Sequence, residues 1–296
     1  MSWLTEFPTM DDTSLTALKK AIDEGFRAFT RAYGYSIENA FHPLQTFLIW
    51  SEHTLVDTAW PLVLLGLLAV VYAASRSWKI VAGSAVALVL IGYFGMWEDT
   101  MKTISMIFVA TVVSIVVGIP IGIAMSRLPK VRAVVNPVLD VMQTMPSFVY
   151  LIPVVMLLGI GKVPGLIAVV IYAIPPVIRF TDLGIRLVDP EVLEAADAFG
   201  SDPGQRLAYV QLPLALPTIM AGVNQTIMMA LAMVVVASMI GVQGLGQPVL
   251  KAIANQYFTL GLFNGFAIAG IAIIFDRATQ AFGRRLQKHQ EVAHGH

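Results

Sequence analysis

Long stretches without a single charged side chain constrain this sequence more than anything else in it. Residues 103–126 form the cleanest, with no ionisable group between Lys102 and Arg127. Six others come close, at 58–75, 80–97, 141–161, 163–178, 214–241 and 260–275. A helix crosses the ~30 Å hydrocarbon core with about 20 mostly apolar residues. Within that core every backbone N–H and C=O must find a partner inside the protein. The pattern therefore predicts an all-α fold, a polytopic membrane bundle of about seven transmembrane helices.

Composition agrees. Charged residues make up 13% of the chain, against about 25% in soluble globular domains. The formal net charge is zero, so no global field points to nucleic acid or an acidic ligand. The absence of cysteine removes disulfides, thiolate metal sites and Cys nucleophiles together. Pro120, Pro153, Pro175 and Pro176 fall inside apolar stretches, where bundled membrane helices tolerate them. Trp60, Trp78 and Trp97 mark the edges, where amphipathic rings favour the interface.

Lys and Arg set the orientation. In a seven-span scheme one side carries Arg76, Lys79, Arg127, Lys130, Arg132, Arg179, Arg186, Arg206, Arg277, Arg284, Arg285 and Lys288. The other side carries only Lys102, Lys162 and Lys251 close to the spans. Positive charge stays cytoplasmic, so residues 181–213 and the C-terminus are expected in the cytoplasm and the N-terminal segment outside. Three parts result: 1–57, a transmembrane part over 58–285, and a cytoplasmic tail over 286–296. Nothing at the N-terminus reads as a cleaved signal, because residues 1–40 lack its apolar core. Helical spacing of Leu15, Leu18, Ile22 and Phe26, then of Phe41, Leu44, Phe47 and Leu48, predicts amphipathic helices at the membrane. His289, His294 and His296 are too sparse to predict a metal site.

The apolar centres contain no Asp, Glu, His, Lys or Arg; Asp140 and Asp276 sit at their edges. An ion-coupled carrier normally needs such groups, or unwound carbonyl sites, deep in the bilayer. No nucleotide loop compensates. Gly161-Lys162 is followed by Val163 rather than Ser or Thr, and position 156 is Met rather than Gly. The glycines at 241, 244 and 246 read as a turn or short re-entrant bend. Energy for transport would have to enter from elsewhere.

One polar island breaks the apolar pattern. Asp189 is placed to cap a helix that opens on Pro190, with Glu191 in its first turn and Gly200 as its stop. Val192, Ala195, Ala196 and Phe199 share one face at helical spacing. Ser201-Asp202-Pro203 is placed to start a second short helix through Gln205 to Val210. A stiff connector and a docking surface both fit these features.

Glu194-Ala195-Ala196, three residues, Gly200, nine residues, then Val210-Gln211-Leu212-Pro213 resembles the EAA loop of ABC importer permeases, with Val210 where Ile is usual. The segments 142–153 and 211–225 are similar to the glycine betaine/proline betaine and choline permeases of that family. The likeness covers most of 60–285 and only loosely the N-terminal segment. It implies a type I importer permease that pairs with a second copy of itself. It also implies two partners, a cytoplasmic ATPase subunit that holds ATP and Mg and a separate substrate-binding protein. This chain would then carry no cofactor and be no enzyme. Glu194, Ala195, Ala196, Asp197, Phe199, Gly200, Leu212 and Pro213 would couple it to the ATPase. Candidates for the translocation path are Met142, Gln143, Thr144, Pro146, Tyr150, Asn224, Gln225, Met228 and Met229. Amides inside a span are costly unless bonded, so Asn224 and Gln225 either join helices or face a cavity. The resemblance favours a quaternary ammonium cargo such as glycine betaine, proline betaine or choline. Rival readings are the same machinery with another amino acid or amine as cargo, an ion-coupled carrier and a non-transporting scaffold or receptor.

Overall fold

The computed structural model describes residues 9–294, with side chains through residue 286. Among these the regular structure is helical, in chain order α1 (Asp12–Ala40), α2 (His42–Val56), α3 (Trp60–Ser75), α4 (Trp78–Tyr93), α5 (Trp97–Arg127), α6 (Pro129–Thr144), α7 (Leu151–Leu158), α8 (Lys162–Arg186), α9 (Pro190–Ala198), the single turn α10 (Pro203–Gln205), α11 (Leu212–Ala237), α12 (Gly246–Asn255) and α13 (Phe258–His294). By length and composition α5, α8, the run 203–240 and 258–286 are each able to cross a membrane. Two bent pairs, α2 with α3 and α6 with α7, also qualify when each pair is taken together, and α4 is a shorter apolar helix. The histidines of the tail, His289, His294 and His296, lie outside the described side chains.

All seven expected stretches are helical, but several boundaries move. The stretch 141–161 is not one rod. α6 ends at Thr144, a 3-10 turn follows at Ser147–Tyr150, and α7 leaves at 113°. Proline at 146 explains the break, since it forces the preceding Met145 into extended backbone, φ −71° and ψ 136°. The α8 helix runs on past Ile178 to Arg186, absorbing the start of the expected loop. The second short helix of the island is no separate unit either. Only α10 is an ordinary helical turn, and Arg206–Gln211 then winds as a π-helix directly into α11. Pro213 has no N–H to donate and its ring crowds the carbonyl four residues back, which opens the preceding turn.

α5, α8 and α11 form the centre, with α13 laid on α11, α3 and α4, and α2 and α6 against α5. Small residues let these backbones approach. Ala110, Ala168, Ala173, Ala230 and Ala237 are fully buried, as expected where helices associate through close packing rather than a hydrophobic drive. Gly122 marks a close crossing of α5 on α8, because a Cβ there would stand 2.7 Å from the Ile178 carbonyl oxygen. Trp60, Trp78 and Trp97 each open a helix. α2 packs into the body, with Leu48 and Ser51 buried and Phe47 against Phe108 at 6.1 Å. α1 keeps its apolar stripe of Leu18, Ile22, Phe29 and Tyr33 exposed. Its N-cap is Asp11, whose carboxyl is held down at about 2 by hydrogen bonds from Thr13 and then Ser14.

Candidate functional site

α9 stands at the junction of two central elements, between the end of α8 and the start of the α11 run. It begins as the sequence predicts. Pro190 opens the helix and the Asp189 carboxylate accepts from the Glu191 N–H at 2.9 Å. Its end explains the spacing of the motif. The Gly200 N–H donates to the Asp197 carbonyl at 2.9 Å and the Ser201 N–H to the Ala196 carbonyl at 3.1 Å. Those two bonds define a Schellman stop, which needs left-handed backbone at the glycine; φ of Gly200 is +81°. Three residues between Ala196 and Gly200 are what this stop requires.

The turn after it is equally determined. Asp202 accepts from the Gly204 and Gln205 N–H groups, and Gln205 returns a carbonyl to the Asp202 N–H, a complete capping box. Arg206 on the π-helix clips back to Asp197 at 2.7 Å. Arg127 at the end of α5 donates to the Pro203 carbonyl.

The helix faces divide differently from the sequence-based expectation. Val192, Leu193 and Ala196 are half-buried against the body, whereas Glu194, Ala195, Asp197 and Phe199 point outward. Phe199 is 95% exposed, at the very end of the helix. The bare phenyl ring, one turn along from the exposed Ala195, is an apolar knob on an otherwise polar helix end. Leu212 turns inward instead, packing with Ile185, Ala215 and Ile219, and Pro213 sits in the first turn of α11.

Beneath α9 lies a cleft of about 790 Å³ lined by Arg127, Arg186, Leu193, Pro203, Arg206 and Gln211. The helix is thus held at its two ends, by polar links and by its half-buried Val192, Leu193 and Ala196, with the cleft opening beside Leu193. At its root is a feature that the sequence did not suggest. Asp182 is only 4% exposed. Arg186 grips it through two bonds of 3.0 and 3.1 Å, and the Arg132 Nε stands 3.4 Å away. Asp140 pairs with Arg179 one turn earlier on α8.

The candidate path residues do not converge on one cavity. Gln143, Thr144 and Pro146 are exposed at the α6 break, and Met142 is half-buried there. Tyr150 is buried beside the Tyr172 ring and donates its hydroxyl to the Met142 carbonyl. Asn224 donates to Asp276 at 3.0 Å and accepts from Thr279, tying α11 to α13 beside a cleft of about 340 Å³. Gln225 is exposed; Met228 and Met229 are half-buried.

Residues 114–288 match the family model described as binding-protein-dependent transport system inner membrane component. The chain belongs to that family. Among its relatives are the glycine betaine/proline betaine transport system permease ProW of Escherichia coli K12, 52% identical over 67% of this chain, and the glycine betaine/carnitine transport permease GbuB of Listeria monocytogenes, 49% identical over 71%. The glycine betaine permease OpuAB of Bacillus subtilis is 47% identical over 72% of this chain. The match spans 56% of ProW, 74% of GbuB and 77% of OpuAB. The solved inward-facing MetNI methionine transporter superposes with a TM-score of 0.57 at 20% identity, over 62% of this chain and 93% of that one. The fold is accordingly that of a type I ABC importer permease, and this family member is a multi-pass inner-membrane protein.

Proposed function

We propose that this chain is the transmembrane subunit of an ATP-binding cassette importer for a quaternary ammonium compound, glycine betaine, proline betaine or choline. The observation that carries the reading is α9, a capped and stopped helix that presents Phe199, Ala195 and Glu194 to a partner from the ends of two central helices. An exposed aromatic anchor with a polar rim is the anatomy of an interface hot spot. Relatives named for glycine betaine transport support the cargo class.

The partner at α9 is a cytoplasmic ATPase, which binds ATP and Mg. Two permeases associate, and an outer binding protein delivers solute between them. The lysine and arginine distribution supports an orientation with α9 and the C-terminus in the cytoplasm and α1 outside. Closure of the ATPase dimer on ATP draws the two α9 helices together and tilts the central helices, so that the shared cavity opens outward. Hydrolysis returns it inward. Glu194, Ala195, Ala196, Asp197, Phe199 and Gly200 carry force in this cycle, with Leu212 and Pro213 securing the return into α11.

Permease co-reconstituted with a cytoplasmic ATPase subunit and a binding protein of this transporter class is expected to accumulate labelled glycine betaine only when ATP is supplied. Uptake by the permease alone on an ion gradient would overturn the reading. ATP-driven uptake of a different amine would keep the machinery and change the cargo.

A further inference from the structure

We propose that Asp182 is a two-position clasp that passes the movement of α9 into the membrane helices, its carboxylate exchanging between Arg186 and Arg132. This role presupposes the coupling reading of α9 and names the joint through which the coupling acts.

Four observations carry it. The carboxylate is almost fully buried, so leaving it without a cation is strongly unfavourable. It has two candidate cations on different elements. Arg186 is on its own helix, four residues ahead and three residues before the Asp189 cap of α9. Arg132 belongs to the first turns of α6, just past the end of α5. The two arms are unequal: Arg186 makes a two-bond fork, whereas Arg132 is within ion-pair reach but its buried Nε has no hydrogen-bond partner. The Arg132 Nε lies 3.4 Å from the carboxylate with its N–H turned off line, so a small rotation of the guanidinium would complete the bond. Finally, the cleft under α9 is lined by Arg186 itself, so that arm has free space to swing into.

The consequence is a bistable joint. A pull on α9 draws Arg186 toward the cleft and loosens its fork. The buried carboxylate then closes on Arg132, which binds the end of α8 to the start of α6. Intermediate positions strand a buried charge and are disfavoured, so a small displacement of α9 becomes a discrete change in how α8 and α6 are joined. A side chain whose bonds are exchanged in this way acts on transport through its neighbours. It is a positioning residue and touches no solute.

The test compares solute moved per ATP hydrolysed, using labelled glycine betaine in proteoliposomes of the full complex. Arg132→Gln removes the waiting arm and leaves Asp182 with Arg186, so folding is preserved. It is expected to keep the ATPase bound and hydrolysing while transport per ATP drops roughly five- to tenfold. Arg132→Lys, which keeps the cation, should recover most of the ratio. A transport ratio for Arg132→Gln equal to that of the parent overturns the clasp. So does a loss explained entirely by less assembled complex, which marks a plain structural staple. If the parent complex itself moves no solute on ATP, the coupling reading fails before the variants are compared, and the two failures are thereby separated.

Discussion

Gly200 and Phe199 are adjacent and fail in opposite ways. A Cβ at Gly200 would meet nothing within 4 Å, so a substitution there is opposed by backbone conformation alone, at φ +81°. Left-handed backbone disfavours a residue with a Cβ by about 1–2 kcal/mol, with Asn among the exceptions. Gly200→Val should therefore unwind the α9 stop, abolish copurification with the ATPase and leave membrane abundance unchanged. Gly200→Asn should retain a substantial part of the binding, and equal binding by all three proteins would remove the stop from the mechanism. Phe199 touches almost nothing in this chain. Phe199→Ala is expected to leave thermal unfolding in detergent unmoved yet weaken ATPase binding by about 2 kcal/mol or more, as truncation of an aromatic anchor does. A fall in unfolding temperature with binding intact would reverse that assignment.

At the scale of elements, what was readable in the chain depended on the range over which its signals act. Apolar runs and the caps of α9 are local: Asp189, Pro190 and Gly200 do what their side chains and backbone preferences dictate within a few residues. Helix ends set by packing were not readable. Residues 179–186 read as loop because the apolar run ends before them and the partner of Arg179, Asp140, lies 39 positions earlier; the Asp182–Arg186 pair, four residues apart on one helix face, is the one local signal that α8 continues. Asp182 was missed for that reason, since it lies just past the last apolar residue of its stretch and resembles loop. The face of α9 was misjudged likewise, because four apolar positions share a spacing but only Val192 and Ala196 of them are half-buried. The break between α6 and α7 was signalled by Pro146 and hidden by its apolar surroundings. There Tyr150 latches the end of α6 through the Met142 carbonyl, one of the acceptors a helix end leaves open. Tyr150→Phe strands that carbonyl and should destabilise the detergent-solubilised protein by about 1–3 kcal/mol. Relative uptake of betaine, proline betaine and choline is expected to stay unchanged. An altered cargo preference at parental stability would make Tyr150 a substrate contact instead.

Across the whole molecule the two ends are built differently. At the α9 end, long elements meet over a cleft and are linked by arginines that have room to move. The opposite end is joined by hydrogen bonds donated by backbone N–H groups. The Gly161 N–H reaches the Ile240 carbonyl at 3.0 Å, and the Leu245 N–H reaches the Thr103 hydroxyl at 3.0 Å. One ion pair joins the N-terminal helices to this end: Lys162 at the start of α8 meets both oxygens of Glu52 on α2, at 2.7 and 2.8 Å. The Glu52 side chain is 15% exposed and that of Lys162 36%, so the pair is screened less than a surface one and desolvated less than a core one. Its loss should cost between the surface value of about 0–1 kcal/mol and the buried value of about 3–5 kcal/mol. Glu52→Gln is therefore expected to lower the unfolding temperature in detergent and to make residues 12–56 more susceptible to limited proteolysis. The binding of the ATPase at the far end should remain intact. Exchanging the charges, Glu52→Lys with Lys162→Glu, should restore most of the lost stability, because the geometry of the pair is reciprocal. If the single variant unfolds like the parent, α2 is held by its packing through Leu44, Phe47, Leu48, Leu55 and Val56 and the pair is incidental. If it releases the ATPase as well, the two ends are not mechanically separate, and a rigid outer weld above a movable inner joint is the wrong picture of how this bundle rocks.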